Sequence, residues 1–131
     1  MASVHVTSNR SQLSQAITIR DFQLTSDEPV TADGDNAGPT PVELLLASLG
    51  ACKTMTVKIY ANRKGWPLEQ VSIDVQQQKN GNYQWISAQL HLTGSLTDEQ
   101  RDRLRQIADR CPVHKLLTTE LEVQTVLAAA S

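Results

Sequence analysis

The sequence predicts an α+β fold, with helices against an antiparallel sheet, on three observations. Apolar residues alternate with polar ones along several short segments, as they do in half-buried strands. One long apolar segment in the middle of the chain carries the signature of a helix start. Two of the alternating segments are separated by Asn80-Gly81, a pair that tolerates the positive φ of a hairpin turn, so they are expected to pair antiparallel.

Residues 3–8 and 15–25 read as strands. In the second, Ile17 and Ile19 alternate with polar neighbours, and the phase then switches to Phe22 and Leu24, which suggests a bulge near Arg20 and Asp21. Asp27-Glu28-Pro29 ends the pairing, and the glycine, asparagine and aspartate of residues 33–39 make a loop. Thr40-Pro41-Val42-Glu43 then starts a helix: threonine caps, proline suits the first helical position, and Glu43 closes a capping box. The helix runs to about Asn62 and stops at Gly65-Trp66-Pro67. It is apolar nearly all round and is expected to be buried along most of its length, for which a partner subunit is the simplest cover.

Val71, Ile73 and Val75 alternate, as do Ile86, Ala88, Leu90 and Leu92. Thr97-Asp98-Glu99-Gln100 opens a second helix with another capping box, and Leu104, Ile107, Ala108 and Cys111 form an inward stripe at i, i+3, i+4 and i+7. Pro112 breaks that helix, and Leu121 and Val123 are expected to begin a last strand. No repeat, low-complexity tract or linker divides residues 1–131, which are expected to be one domain.

Composition narrows the function. The chain is 40% apolar and 20% charged, an ordinary balance for a globular protein. Its formal net charge of -2 gives no electrostatic reason to expect a nucleic-acid or anionic-membrane partner, since both need clustered basic surface. The stretch Val42 to Ala61 is interrupted by Ser48, Lys53, Thr54, Thr56 and Lys58 and is too polar to span a bilayer. The beginning of the chain lacks the apolar run of an export signal, so a cytoplasmic location is expected.

In a reducing compartment, the two cysteines read either as a transient redox pair or as two inert thiols. Cys52 shares its helix face with Leu45, Ser48, Leu49, Met55, Thr56 and Ile59. Such a wall disfavours thiolate unless a cation reaches it, and the helix start is roughly 18 Å away. A small core cysteine is therefore a full alternative to a reactive one. Cys111 differs, because Pro112 can start a new short helix with Cys111 as its N-cap, and His114 stands three residues on. The bland alternative is a buried cysteine at a helix end beside a surface histidine. A Cys–His hydrolase using Cys52 and His114 lacks any sign of an oxyanion hole, and Cys111 with His114 lacks the paired spacing of zinc sites. His5 and His91, on strands, read as surface residues.

The segment from Gly38 through Pro41-Val42-Glu43-Leu44-Leu45 to Gly50-Ala51-Cys52, followed by Met55-Thr56 and Tyr60-Ala61, resembles the central helix of the OsmC/Ohr family. Lys64-Gly65-Trp66-Pro67-Leu68, Cys111-Pro112-Val113-His114 and Asp27-Glu28-Pro29 add to the resemblance, which covers about residues 15–126 and is nearest the OsmC-like branch with the Cys-Pro-Val-His ending. It implies an intertwined homodimer with sites at the subunit interface. It also implies reduction of organic hydroperoxides in oxidative stress defence, with Cys52 as the peroxidatic and Cys111 as the resolving cysteine. No metal or organic cofactor is implied; the reductant is an external dithiol such as a dihydrolipoyl group. The alternative is a non-catalytic dimer that binds a small apolar ligand or senses redox state.

The sequence departs from the family pattern at the groups that support the thiol. Peroxidase branches place a glutamate ten residues before the reactive cysteine, paired with an arginine. Here Val42 holds that position and Glu43 comes one residue later. Nine helical residues turn through about 900°, which sets Glu43 on the side opposite Cys52 and roughly 13 Å along the axis. Arg20 lies in the region of the arginine, with an exposed strand charge as its alternative role. His114 completes the possible supporting groups.

Overall fold

A computed structural model describes residues 1–129. The described residues form two compact units, 1–47 and 48–129, with the division inside the long helix.

The first unit is a three-stranded antiparallel meander of β1 (His5–Ser8), β2 (Gln15–Ile19) and β3 (Phe22–Ser26), in that order. The expected bulge at Arg20 and Asp21 is instead a two-residue hairpin turn. Ile19 pairs directly with Phe22 and Ile17 with Leu24, and Arg20 takes a φ of 53°. The switch of phase in the sequence is the reversal of the chain: residues opposite each other across an antiparallel pair lie on one face. After β3, Asp27 is buried and gathers the loop around its carboxylate. Oδ1 accepts from the Glu28 N–H at 2.7 Å, and Oδ2 from Asp35 at 3.2 Å and Ala37 at 3.0 Å. These bonds, led by that from Ala37, hold its carboxyl below the usual aspartate range against the opposing effect of burial. A short 3₁₀ turn, Val30–Ala32, lies within this loop.

Helix α1 (Pro41–Lys64) begins as its capping residues predict. The Thr40 N–H donates to Glu43 Oε1 at 2.8 Å, and the Glu43 N–H donates to Thr40 Oγ1 at 3.1 Å. Its end is closed by the Trp66 N–H, which donates to the Ala61 carbonyl at 3.0 Å. In the single chain its burial is one-sided. Leu49, Lys53, Val57 and Ala61, each four residues from the next, form the buried stripe with Gly50, while Met55 and Ile59 on other faces are exposed.

In the second unit, β4 (Leu68–Asn80) and β5 (Tyr83–Gly94) form a long hairpin. Val71 faces Leu92, Ile73 faces Leu90 and Val75 faces Ala88, as the alternation requires. The turn is one residue later than expected. Asn80 still pairs with Tyr83, so Gly81 and Asn82 make the bend, and Gly81 supplies a φ of 62°. Helix α1 lies close on this ribbon at Gly50, where an added Cβ would stand 3.2 Å from the Cγ2 methyls of both Ile73 and Val75.

Helix α2 (Asp98–Ala108) has the full reciprocal capping box of Thr97 and Gln100. Its Leu104 and Ala108 meet Val57 and Ala61 of α1 in the core, with Tyr60, Trp66, Val71, Leu90 and Leu92 packed around them. Helix α3 (Pro112–Thr118) follows with proline at its start. The strand expected at Leu121 and Val123 does not form: both residues are exposed in irregular chain, and no strand of the described residues runs beside them to supply a ladder.

Candidate functional site

The elements of the second unit bring the two thiols together. Cys52, in the fourth turn of α1, is half-buried, and its carbonyl accepts the Thr56 hydroxyl at 2.7 Å. Cys111 is fully buried and is the N-cap of α3, as Pro112 predicts; its Sγ accepts the His114 N–H at 3.1 Å. The Cys52 side chain neighbours that of Cys111 closely enough to act on its titration, and both are free thiols. The Cys111 thiol titrates above its ordinary value, chiefly through burial. The His114 N–H opposes the rise, the neighbouring Cys52 adds to it, and the charge of Lys53 also opposes it.

Lys53 is the group that sequence reasoning missed. In the sequence it reads only as a polar interruption of α1, yet it is 4% exposed. Its Nζ donates to the Ala108 carbonyl at 3.3 Å, forms an ion pair with Asp109 Oδ1 at 3.1 Å and lies 2.9 Å from His114 Nδ1. An ammonium taken out of water costs several kcal/mol unless it is paired and hydrogen-bonded, and these three contacts meet that demand. The signal was present in the spacing: with Leu49, Val57 and Ala61, position 53 falls on the stripe that must face the core.

Of the other expected supporting groups, Glu43 and Arg20 belong to the first unit and His114 to the second. Glu43 is committed to the backbone of Thr40. Arg20 occupies the hairpin turn of the first unit, exposed, with its guanidinium 5.0 Å from the centre of the Phe22 ring. His114 is half-buried, and it joins the cluster through both its backbone N–H and its ring. His91 pairs with Asp74 at the surface, at 3.0 Å.

Two recesses flank this cluster. A cleft of about 620 Å³ has apolar walls from Leu49, Trp85, Ile86 and Leu117, and Lys53 and His114 line it as well. A shallower groove of about 400 Å³ follows the Cys52 face of α1 through Thr56, Ile59, Tyr60 and Arg63 and is bounded by Ile107 and Arg110. Within it the Tyr60 hydroxyl accepts from Arg103 Nε at 3.2 Å, which holds the phenol below its ordinary range. Among the described residues no group of three or more His, Cys, Asp or Glu side chains is placed to share a metal ion. No helix among them is long and apolar enough to cross a membrane.

The OsmC-like protein family model matches residues 34–126, a segment that holds both thiols, Lys53 and His114. The chain belongs to the OsmC-like family. Solved structures share its fold at low identity. An OsmC-like protein of Mycoplasma pneumoniae is 21% identical, with a TM-score of 0.76 over 89% of this chain and 86% of that one. An organic hydroperoxide resistance protein of Legionella pneumophila is 20% identical, with a TM-score of 0.68 over 90% and 89%. The organic hydroperoxide resistance protein OhrB of Bacillus subtilis is 21% identical, with a TM-score of 0.62 over 90% of each chain. No curated protein sequence matches the chain at a significant level.

Proposed function

We propose that this OsmC-like protein is a thiol-dependent peroxidase that reduces organic hydroperoxides in the cytoplasm as a homodimer, with Cys52 peroxidatic and Cys111 resolving. The observation that carries the reading is that the two thiols are neighbours in one cluster, with Cys52 half-buried and Cys111 buried. Cys52 is the half-exposed member and meets the oxidant; Cys111, buried behind it, does not. The Cys52 thiolate attacks the O–O bond, the alcohol leaves, and a sulfenic acid forms on Cys52. Cys111 condenses with it to a disulfide, which an external dithiol, of the dihydrolipoyl class, reopens by exchange. Helix α1 offers the exposed apolar Met55 and Ile59 to a partner subunit, a cover that a homodimer supplies.

The test is consumption of cumene hydroperoxide by the purified protein with a dithiol reductant. Cys52→Ser is expected to abolish turnover, and Cys111→Ser to leave a sulfenic acid that dimedone traps. Undiminished turnover in Cys52→Ser contradicts the proposal. A second reading, a non-catalytic binding protein, is favoured by the larger cleft, whose walls include neither cysteine. It predicts no turnover and saturable binding of a small apolar probe there, lost in Trp85→Ala.

A further inference from the structure

We propose that Lys53 is the positioning residue of the resolving thiol: its ammonium, fixed among Ala108, Asp109 and His114, offsets part of the burial that disfavours the Cys111 thiolate and so favours its attack on oxidised Cys52. This rests on the peroxidase reading and extends it to a group that the motif cysteines do not include.

The geometry supplies the argument. Cys111 is fully buried, which disfavours thiolate, so a resolving step needs a compensating charge inside the fold. The partners of Lys53 bracket Cys111 in the chain: Ala108 and Asp109 lie before it, and His114, whose backbone N–H caps the Cys111 sulfur, lies after it. The side chain is pinned from both ends of the α2–α3 junction, so the cation needs little reorganisation when negative charge appears on sulfur. Asp109, Arg110 and His114 are the ionisable residues that flank Cys111 along the chain, and Cys52 and Lys53 of α1 act on it across the packed helices. Of these, Lys53 is the cation whose charge acts on the thiol directly.

In the step itself, the electron pair of the Cys111 thiolate forms the sulfur–sulfur bond and the S–O bond of the Cys52 sulfenic acid breaks. The departing hydroxide takes up the proton that Cys111 released, and water leaves. Cys111 is oxidised, and the hydroperoxide that formed the sulfenic acid is the source of the oxidising equivalents.

The experiment isolates Cys111 in a Cys52→Ser background, where it is the one remaining thiol, and follows its thiolate absorbance in the ultraviolet against pH. Lys53→Met and Lys53→Gln, both neutral and each checked for folding by circular dichroism, are expected to raise the midpoint by about one pH unit or more. Lys53→Arg, which keeps the charge, is expected to stay nearer the parent than Lys53→Gln. With Cys52 restored, Lys53→Gln is expected to slow disulfide formation about tenfold while Cys52 oxidation keeps its rate. A folded neutral variant that titrates as the parent does overturns the proposal, as does an arginine variant shifted as far as the glutamine one. Failure of the peroxidase reading is seen separately, as absent hydroperoxide consumption in the unmodified protein, and leaves the titration readable.

Discussion

Leu104→Ala tests the junction that holds the thiols in place. Leu104 is fully buried and meets Val57, Ala61 and Ala108 where α2 packs on α1, one turn before the residues that fix Lys53. The substitution removes three carbon groups, about 2.4 kcal/mol of transfer free energy at ~0.8 kcal/mol each. The cavity left behind adds to this, which brings the expected loss to about 3 kcal/mol within the usual span of roughly 2–5 kcal/mol. With a urea slope of about 2 kcal/mol/M, the unfolding midpoint falls by about 1.5 M. The assay is urea denaturation followed by circular dichroism, with Leu127→Ala as the control, since Leu127 is fully exposed and its loss is expected to change nothing beyond about 0.5 kcal/mol. A Leu104→Ala loss below about 1 kcal/mol refutes the placement of α2 against α1.

Two further outcomes follow from the ionisable groups. Asp27 has its carboxyl pKa lowered by loop N–H bonds, so its contribution to stability is present above the unfolded aspartate value, about 3.9, and is lost as pH falls through the lower folded value. Asp27→Asn is therefore expected to be less stable than the parent at pH 7 and equal to it in strong acid; a constant gap at all pH values contradicts this. Alkylation by iodoacetamide at neutral pH is expected to label half-exposed Cys52 first, and the slower labelling of buried Cys111 is expected to quicken as pH rises toward its elevated pKa. Peptide mapping by mass spectrometry reads the order, and Cys111 labelled first contradicts it.

Local signals carried much of this fold into the sequence. Both capping boxes, the proline that makes Cys111 an N-cap and the alternation along β4 and β5 depend on residues a few positions apart, so short-range physics determines them. The misreadings arose where distant partners decide. The change of phase at Arg20 could be a bulge or a reversal, and only the pairing of Ile19 with Phe22 tells which. Leu121 and Val123 alternate as a strand would, but a strand exists only beside another strand. Lys53 was hidden by its neighbours: a helix apolar on every side gives no obvious inward face, and a charge on it reads as a surface residue until α2 and α3 are set against it. The capping role of Glu43 was legible because its partner, Thr40, is only three residues away.

Intact mass after one equivalent of cumene hydroperoxide, with no reductant present, asks whether an electron pair passes from one sulfur to the other. The account predicts a loss of two hydrogens per chain and a tryptic peptide in which Cys52 is joined to Cys111 of the same chain. A chain that instead gains oxygen and keeps it, with Cys111 still free, contradicts the assignment of these two residues to one redox site.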